Sequence, residues 1–220
     1  MKIKKAIVSA GATREWIDPV RFISNASSGK MGFCIARELS QWIETIVYIH
    51  GITSEKYSKL ENAKNIFAET TVEMKNAILS ELEDFSLIVM AAAPVDFKPS
   101  ENQNQKIKKE SNNTLNLLLV PNPDILKSIY ESLYKNQISN TILVGFAAET
   151  NDLEKNAMEK LKRKNLNYII GNYVNKNSVG FGDVESKIKI FSNRGIVQEY
   201  GPASKELLAA DISNFLKSNL

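Results

Sequence analysis

Apolar residues along this chain come in short continuous runs that alternate with stretches of helical spacing, the pattern of strands and helices taken in turn. The first run, residues 6–8, leads to a glycine turn at Gly11, and beyond a polar stretch Met31, Ile35, Leu39 and Ile43 recur at helical spacing. This predicts strand, long loop and helix, with residues 9–34 as the crossover. Further strands are predicted at 45–49, 86–93 (SLIVMAAA), 115–120, 141–146 and 168–171, with a short apolar piece at 66–68. Helices are predicted over 71–82, capped by Thr70 or Thr71, from Asp124 to about Tyr134, and from Asp152 onward. Residues 187–191 and 196–200 read as a hairpin over Asn193-Arg194-Gly195, and Ser204 begins the last helix. The run at 86–93 is apolar throughout and closes on Pro94, as expected of a central parallel strand buried on both faces. Its terminal alanines leave room either for a ligand against the backbone or for tight helix packing.

Strands of this kind place the loop 9–34 over their carboxyl ends, where open α/β sheets bind ligands. Its composition suits an anion: Thr13, Asn25, Ser27 and Ser28 offer hydroxyl or amide groups, and Arg14 and Arg21 offer guanidinium forks. Ser27 or Ser28 is the expected N-cap of the first helix, and Gly29 would let its free N–H groups approach a ligand. A polar surface loop has the same composition. Two phosphate motifs are disfavoured. Ser28-Gly29-Lys30 resembles a P-loop but has Ser24 and Met31 where that motif requires Gly and Ser or Thr, and the first turn lacks G-x-G-x-x-G. The second strand ends in His50-Gly51, without the acidic residue that would hold a ribose, so a dinucleotide site is disfavoured.

Length and charge narrow the class further. The 220 residues, 43% hydrophobic and 24% charged, are enough for one ordinary globular domain, and the net charge of +3 demands neither nucleic acid nor an anionic membrane as partner. The single cysteine, Cys34, excludes an intrachain disulfide framework and is expected in the core, which suits a cytoplasmic protein. The sequence runs from Lys2 to Lys5 straight into a strand, unlike a secretory leader, and its longest apolar run, 87–95, is too short for a bilayer.

Four further features remain. Residues 98–113 contain Lys106-Ile107-Lys108-Lys109, which is either a solvated face or a lysine-rich flap over phosphates. Pro121-Asn122-Pro123-Asp124 stiffens the approach to a helix that Asp124 can cap. Phe146, at a strand end, stands where an aromatic either stacks on a base or fills core. Lys160 and Lys164 lie one helical turn apart and point the same way.

In their order and spacing, GATREWIDPVRFISNASSGKMG, MAAAPVDF, KIKK, VPNPDIL, GFAAET, KLKRKNL and the pair Gly180-Phe181 make the chain resemble the phosphopantothenate–cysteine ligases, the phosphopantothenoylcysteine synthetases of coenzyme A biosynthesis. The resemblance covers nearly the whole chain. It implies a Rossmann-like, doubly wound, mainly parallel sheet with a C-terminal hairpin, one domain over 1–220 with a flap at roughly 98–113, and a dimer whose active sites lie near the subunit interface. It also implies a ligase that joins phosphopantothenate and cysteine through an acyl-cytidylate, converting CTP to CMP and pyrophosphate with Mg²⁺ held mainly by the nucleotide phosphates. Carried over residue by residue, the nucleotide contacts are Asp96, Lys106, Pro123, Asp124, Ile125, Leu126, Phe146, Lys160 and Lys164. Arg21, Asn25 and Ala93 serve the acid and the intermediate, with Asn25 and Lys106 catalytic. No flavin is expected, although in many bacteria a flavin-dependent decarboxylase precedes this domain and is an expected partner, fused or separate. Pro94-Val95, Ala12, Tyr173 and Ser186 depart from the usual pattern, and Pro94 leaves ATP open beside CTP. A noncatalytic nucleotide-binding subunit and a nicotinamide-dependent reductase are the competing classes.

Overall fold

The computed structural model describes residues 2–108, 114–174 and 185–220. Strand β1 (Lys5–Ala10) is followed by a hairpin, β2 (Arg14–Asp18) and β3 (Arg21–Ser24), and by helix α1 (Lys30–Leu39). Next come β4 (Thr45–His50), β5 (Lys64–Phe67), α2 (Thr71–Leu79), β6 (Ser86–Met90), β7 (Phe97–Pro99) and β8 (Leu119–Pro121). The chain continues through α3 (Ile125–Lys135), β9 (Ile142–Glu149), α4 (Leu153–Arg163), β10 (Tyr168–Tyr173), β11 (Ser186–Ser192), β12 (Gly195–Ala203) and α5 (Lys205–Asn219).

The main sheet runs β12-β11-β10-β9-β6-β1-β4-β5. All neighbours from β5 to β10 are parallel, and β11 and β12 add an antiparallel hairpin at the edge. Chain order reverses between β1 and β6, which puts the topological switch point, and hence the ligand crevice, at their carboxyl ends. The doubly wound α/β fold with a C-terminal hairpin is therefore as the sequence implies.

Both faces of the sheet are covered. Cys34, Ile35 and Leu39 of α1 pack with Leu208, Ile212 and Leu216 of α5 against Ala6, Val8, Tyr48 and Val89. On the other face Met74, Ile78, Ile129, Ala157 and Leu161 from α2, α3 and α4 meet Ile7, Val47, Ile88 and Ile169. This two-sided burial explains why β6 reads as an unbroken apolar run. The helix α1 lies especially close to β1: a Cβ on Gly32 would stand 2.6 Å from the Ala10 Cβ and 2.7 Å from the Ser9 carbonyl oxygen.

Several expectations change. The first loop is a β-hairpin between β1 and α1, in which Arg14 pairs with Ser24 and Trp16 with Phe22. The N-cap of α1 is Gly29, at φ 78 with no side-chain cap, and neither serine serves. Ser27 and Ser28 instead accept weak bonds from the N–H groups of Gly29 and Lys30. The predicted strand at 115–120 shrinks to β8, which pairs with β7 in a separate two-stranded ladder while Leu118 stands 72% exposed. The alanines 91–93 lie beyond the end of β6. Helix α2 ends at Leu79 and begins at a full capping box of Thr70 and Glu73, a feature that stabilises a helix by about 1 kcal/mol. Lys109 and the rest of the flap to residue 113, and Gly180-Phe181, lie outside the described residues.

Candidate functional site

Two adjoining cavities open at the switch point. One, of about 320 Å³, is walled by Ser27–Gly32 at the start of α1, Ala91–Pro94 after β6, and Asn172, with Lys205 from α5. The other, of about 420 Å³, is walled by Asn122–Leu126 before and within α3, by Glu149, and by Arg163 and Lys164 of α4. Ala92, Pro94, Asp96, Phe146 and Lys160 line both.

Lys160 is the cation at the junction. Its Nζ donates to the Phe146 carbonyl at 2.8 Å. Withdrawal from water pushes its pKa below the ordinary lysine value, against the opposing pull of Glu149 and Asp96. One turn on, Lys164 pairs with the Asp124 carboxylate. Asp124 also caps α3, accepting from the Lys127 N–H at 3.0 Å. Asp124, Ile125 and Leu126 thus hold the start of α3 against the end of α4, and Pro123 sits at the cavity edge beside them. Phe146 is partly buried in β9, packs against the core and walls both cavities. Arg163, Glu149, Lys30 and Lys205 escaped the residue-level reading. Arg163 was visible only as part of KLKRKNL, whereas Lys30 and Lys205 give no local signal, because the pairing of α1 with α5 brings them together and Lys30 binds Glu206 at 2.8 Å.

The residues expected at the acid, Arg21, Asn25 and Ala93, divide, and Lys106, expected at the nucleotide, falls with Arg21. Asn25 donates through Nδ2 to the carbonyls of Ala93 and Pro94, at 3.3 and 2.9 Å, and so touches the rim of the first cavity. Ala93 is further fixed by its N–H, which donates to the Gly11 carbonyl at 2.8 Å. Arg21 and Lys106 line neither cavity. Arg21 binds the buried Asp18 through Nε at 2.9 Å and the Ile107 carbonyl at 2.7 Å, while the Ile107 N–H donates to Asp18 at 3.1 Å. One carboxylate thus ties the hairpin to the segment that carries the exposed Lys106. Arg14, read as an anion fork, is committed elsewhere: it lies over the Phe22 ring at 4.1 Å and meets Glu69 at 3.5 Å.

The tie depends on pH. Burial opposes the ionised form of Asp18, but the N–H groups of Val20 and Ile107 and the Arg21 guanidinium outweigh it and lower the pKa from 3.8 to about 2. A carboxyl whose folded pKa is depressed contributes stability that is complete above its unfolded pKa and is lost as pH falls through the folded one. Melting curves between 3.8 and about 2 should therefore show the unaltered chain losing an increment that Asp18→Asn never has. Parallel pH profiles for the two proteins would refute this account of the tie.

Among the described residues no helix is long and apolar enough to cross a membrane, and no cluster of three or more His, Cys, Asp or Glu residues could hold a metal.

Known proteins resemble this chain in sequence and fold. The Coenzyme A biosynthesis bifunctional protein CoaBC of Borreliella burgdorferi is 39% identical over 213 residues, which is 94% of this chain and 52% of that protein. The chain spans about half the length of the curated relatives it matches. A crystal structure of the C-terminal domain of CoaBC superposes with a TM-score of 0.73 at 27% identity, covering 98% of this chain and 96% of that one. A Cab2 variant solved in complex with phosphopantothenate-cysteine shares the fold, with a TM-score of 0.71 at 18% identity over 98% of this chain and 88% of its own. Residues 1–219 match the DNA/pantothenate metabolism flavoprotein C-terminal domain, and the chain belongs to that family.

Proposed function

We propose that this chain is a CTP-dependent phosphopantothenate–cysteine ligase of coenzyme A biosynthesis. The observation that carries the reading is Lys160, which stands on the wall common to the two cavities. A nucleotide in the larger cavity and an acid in the smaller would meet at one ammonium, where phosphoryl transfer needs positive charge. The reading accords with the family and with the ligand named for the Cab2 structure.

In the first step the phosphopantothenate carboxylate attacks the α-phosphorus of CTP, forming the acyl-cytidylate and expelling pyrophosphate. Lys160, Lys164 and Arg163 would hold the phosphates, and Phe146 with Pro123–Leu126 would bound the nucleoside. The carboxylates in the cavity walls are Asp96, Asp124 and Glu149, of which Asp124 pairs with Lys164 while Asp96 and Glu149 act on Lys160. That donor set fits Mg²⁺ carried in by the nucleotide, which would offset charge on the leaving pyrophosphate. In the second step the cysteine amine attacks the acyl carbonyl and CMP leaves, with Asn25 and the Ala93 backbone positioning the anhydride.

Lys106 and Arg21 act, in this reading, at the interface of a homodimer. Val20, Phe22 and Phe97 are more than 40% exposed beside the hairpin–flap tie, an apolar surface that a second copy would cover. A separate or fused flavin-dependent decarboxylase would consume the product, and the cytoplasm is the expected compartment. The test is pyrophosphate release measured with CTP and with ATP, in the presence and absence of phosphopantothenate. Release should require the acid and favour CTP; acid-independent release would overturn the ligase reading.

A further inference from the structure

In the wall of the larger cavity, where Thr71, Val95 and Asn122 line it, lies a polar knot whose buried member is Glu15. Glu15 is 5% exposed, and its Oε1 accepts from the Thr71 N–H and from Asn122 Nδ2, each at 3.0 Å. The Asn122 amide also donates to the Val95 carbonyl at 2.8 Å and approaches the Thr71 hydroxyl at 3.3 Å. The hydroxyls of Thr13 and Thr71 lie 2.8 Å apart. Thr13 accepts from the Val95 N–H at 2.8 Å, and Thr71 donates to the Val95 carbonyl at 3.3 Å. The backbone N–H of Asn122 donates to the Asp96 carbonyl at 2.8 Å.

These bonds converge on two short segments. Both polar groups of the Val95 backbone are clamped, so the next residue, Asp96, leaves the knot in a fixed direction. Asn122 is held by side chain and backbone alike, immediately before Pro123 and two residues before Asp124. The β7–β8 ladder starts from the same point, with Phe97 opposite Pro121. Asp96 and Asp124 therefore face the cavity from walls that share one anchor. The amide orientation is dictated by its donors, because Asn122 Oδ1 is buried without a hydrogen-bond partner.

We propose that Glu15, Thr71 and Asn122 are positioning residues that set the nucleotide wall, holding Asp96 and Asp124–Leu126 at the spacing a bound CTP requires. The inference rests on the ligase reading above. None of the three needs to touch the reacting atoms; they act through the backbone of Val95 and Asp96. The acid side is fastened separately, by Asn25 on Ala93 and Pro94. A fault in the knot should accordingly weaken nucleotide binding far more than acid binding.

Asn122→Asp places a carboxylate against Glu15 and the Val95 carbonyl, removing the donors and adding repulsion between like charges. Calorimetry at about pH 8 should show CTP affinity lowered roughly tenfold or more, with the KM for phosphopantothenate changed less than about threefold. Adding Glu15→Gln supplies a donor to the introduced carboxylate and should recover much of the affinity. If Asn122→Asp does not fold, Thr71→Val against Thr71→Ser asks the same question: the variant lacking the hydroxyl should lose CTP affinity and the one keeping it should not. Parallel losses of CTP and acid binding, or unchanged CTP affinity in the variants, would overturn the inference. Failure of the unaltered chain to bind CTP would overturn the ligase reading as well, so the two failures are distinguishable.

Discussion

Lys160→Gln is expected to slow CTP-dependent pyrophosphate release by roughly 10²–10³-fold, the range seen when a preorganised charge is removed from a developing one. The amide can still reach for the Phe146 carbonyl, which Lys160 now holds at 2.8 Å, so the change is chiefly one of charge. That charge is held at a cost. Burial lowers the Lys160 pKa, so the folded chain binds this proton less tightly than the unfolded chain does. Below the lowered value the ammonium therefore detracts from stability, and the penalty is relieved as pH rises from the folded pKa toward the ordinary lysine pKa. Removing the charge should leave the melting temperature unchanged or higher at neutral pH while activity collapses. The same shift gives the pH profile a direction: CTP use by the unaltered enzyme should fall on the alkaline side as Lys160 deprotonates, earlier than a solvent-exposed lysine would allow. Because phosphates favour the ammonium, nucleotide binding in that range should also take up a proton, a quantity calorimetry in buffers of different ionisation enthalpy can read. A variant that loses stability in proportion to activity would show Lys160 to be structural.

Most of the sheet was legible because its strands are buried on both faces, and hydropathy marks such segments whatever their neighbours. The hairpin was not legible, and the reason lies in which of its side chains are inside. In β2 the buried residues are Glu15, Ile17 and Asp18, while Trp16 is only partly covered. Alternation of apolar and polar residues marks a strand only when apolar residues face inward, and here two carboxylates do, each satisfied by bonds from distant segments. The opposite error arose at 115–120, where leucines suggest a buried strand but stand 40% exposed or more. In both places the burial is decided by tertiary partners that no window of sequence contains. The candidate site shows the same division. Helix spacing set Lys160 and Lys164 on one face and capping preference marked Asp124, but only the family resemblance pointed to them as site residues. Glu15, Thr71 and Asn122 lie in three separate stretches of chain, and only the folded topology brings them within hydrogen-bonding reach.

Asn25→Asp is expected to separate the two chemical steps. In the unaltered chain the amide joins the hairpin to the rim of the smaller cavity by donating to two carbonyl oxygens, those of Ala93 and Pro94. A carboxylate at this position has nothing to donate and meets both oxygens with like partial charge, so the side chain turns away and the rim loses its fastening. Lys160, Lys164 and Asp124 make no bond to Asn25, and the nucleotide side should keep its geometry. Activation of the acid should therefore continue, while attack by cysteine on the anhydride slows by roughly 10²–10³-fold. In a single-turnover experiment pyrophosphate should appear in a burst without phosphopantothenoylcysteine, and acyl-cytidylate should be recovered after rapid quenching. Lys106→Gln should give the complementary result, no burst and no intermediate, if, as the ligase reading proposes, its charge serves the departure of pyrophosphate. Identical behaviour of the two variants, both lacking the burst or both completing the product, would show that the hairpin and the flap serve one step together.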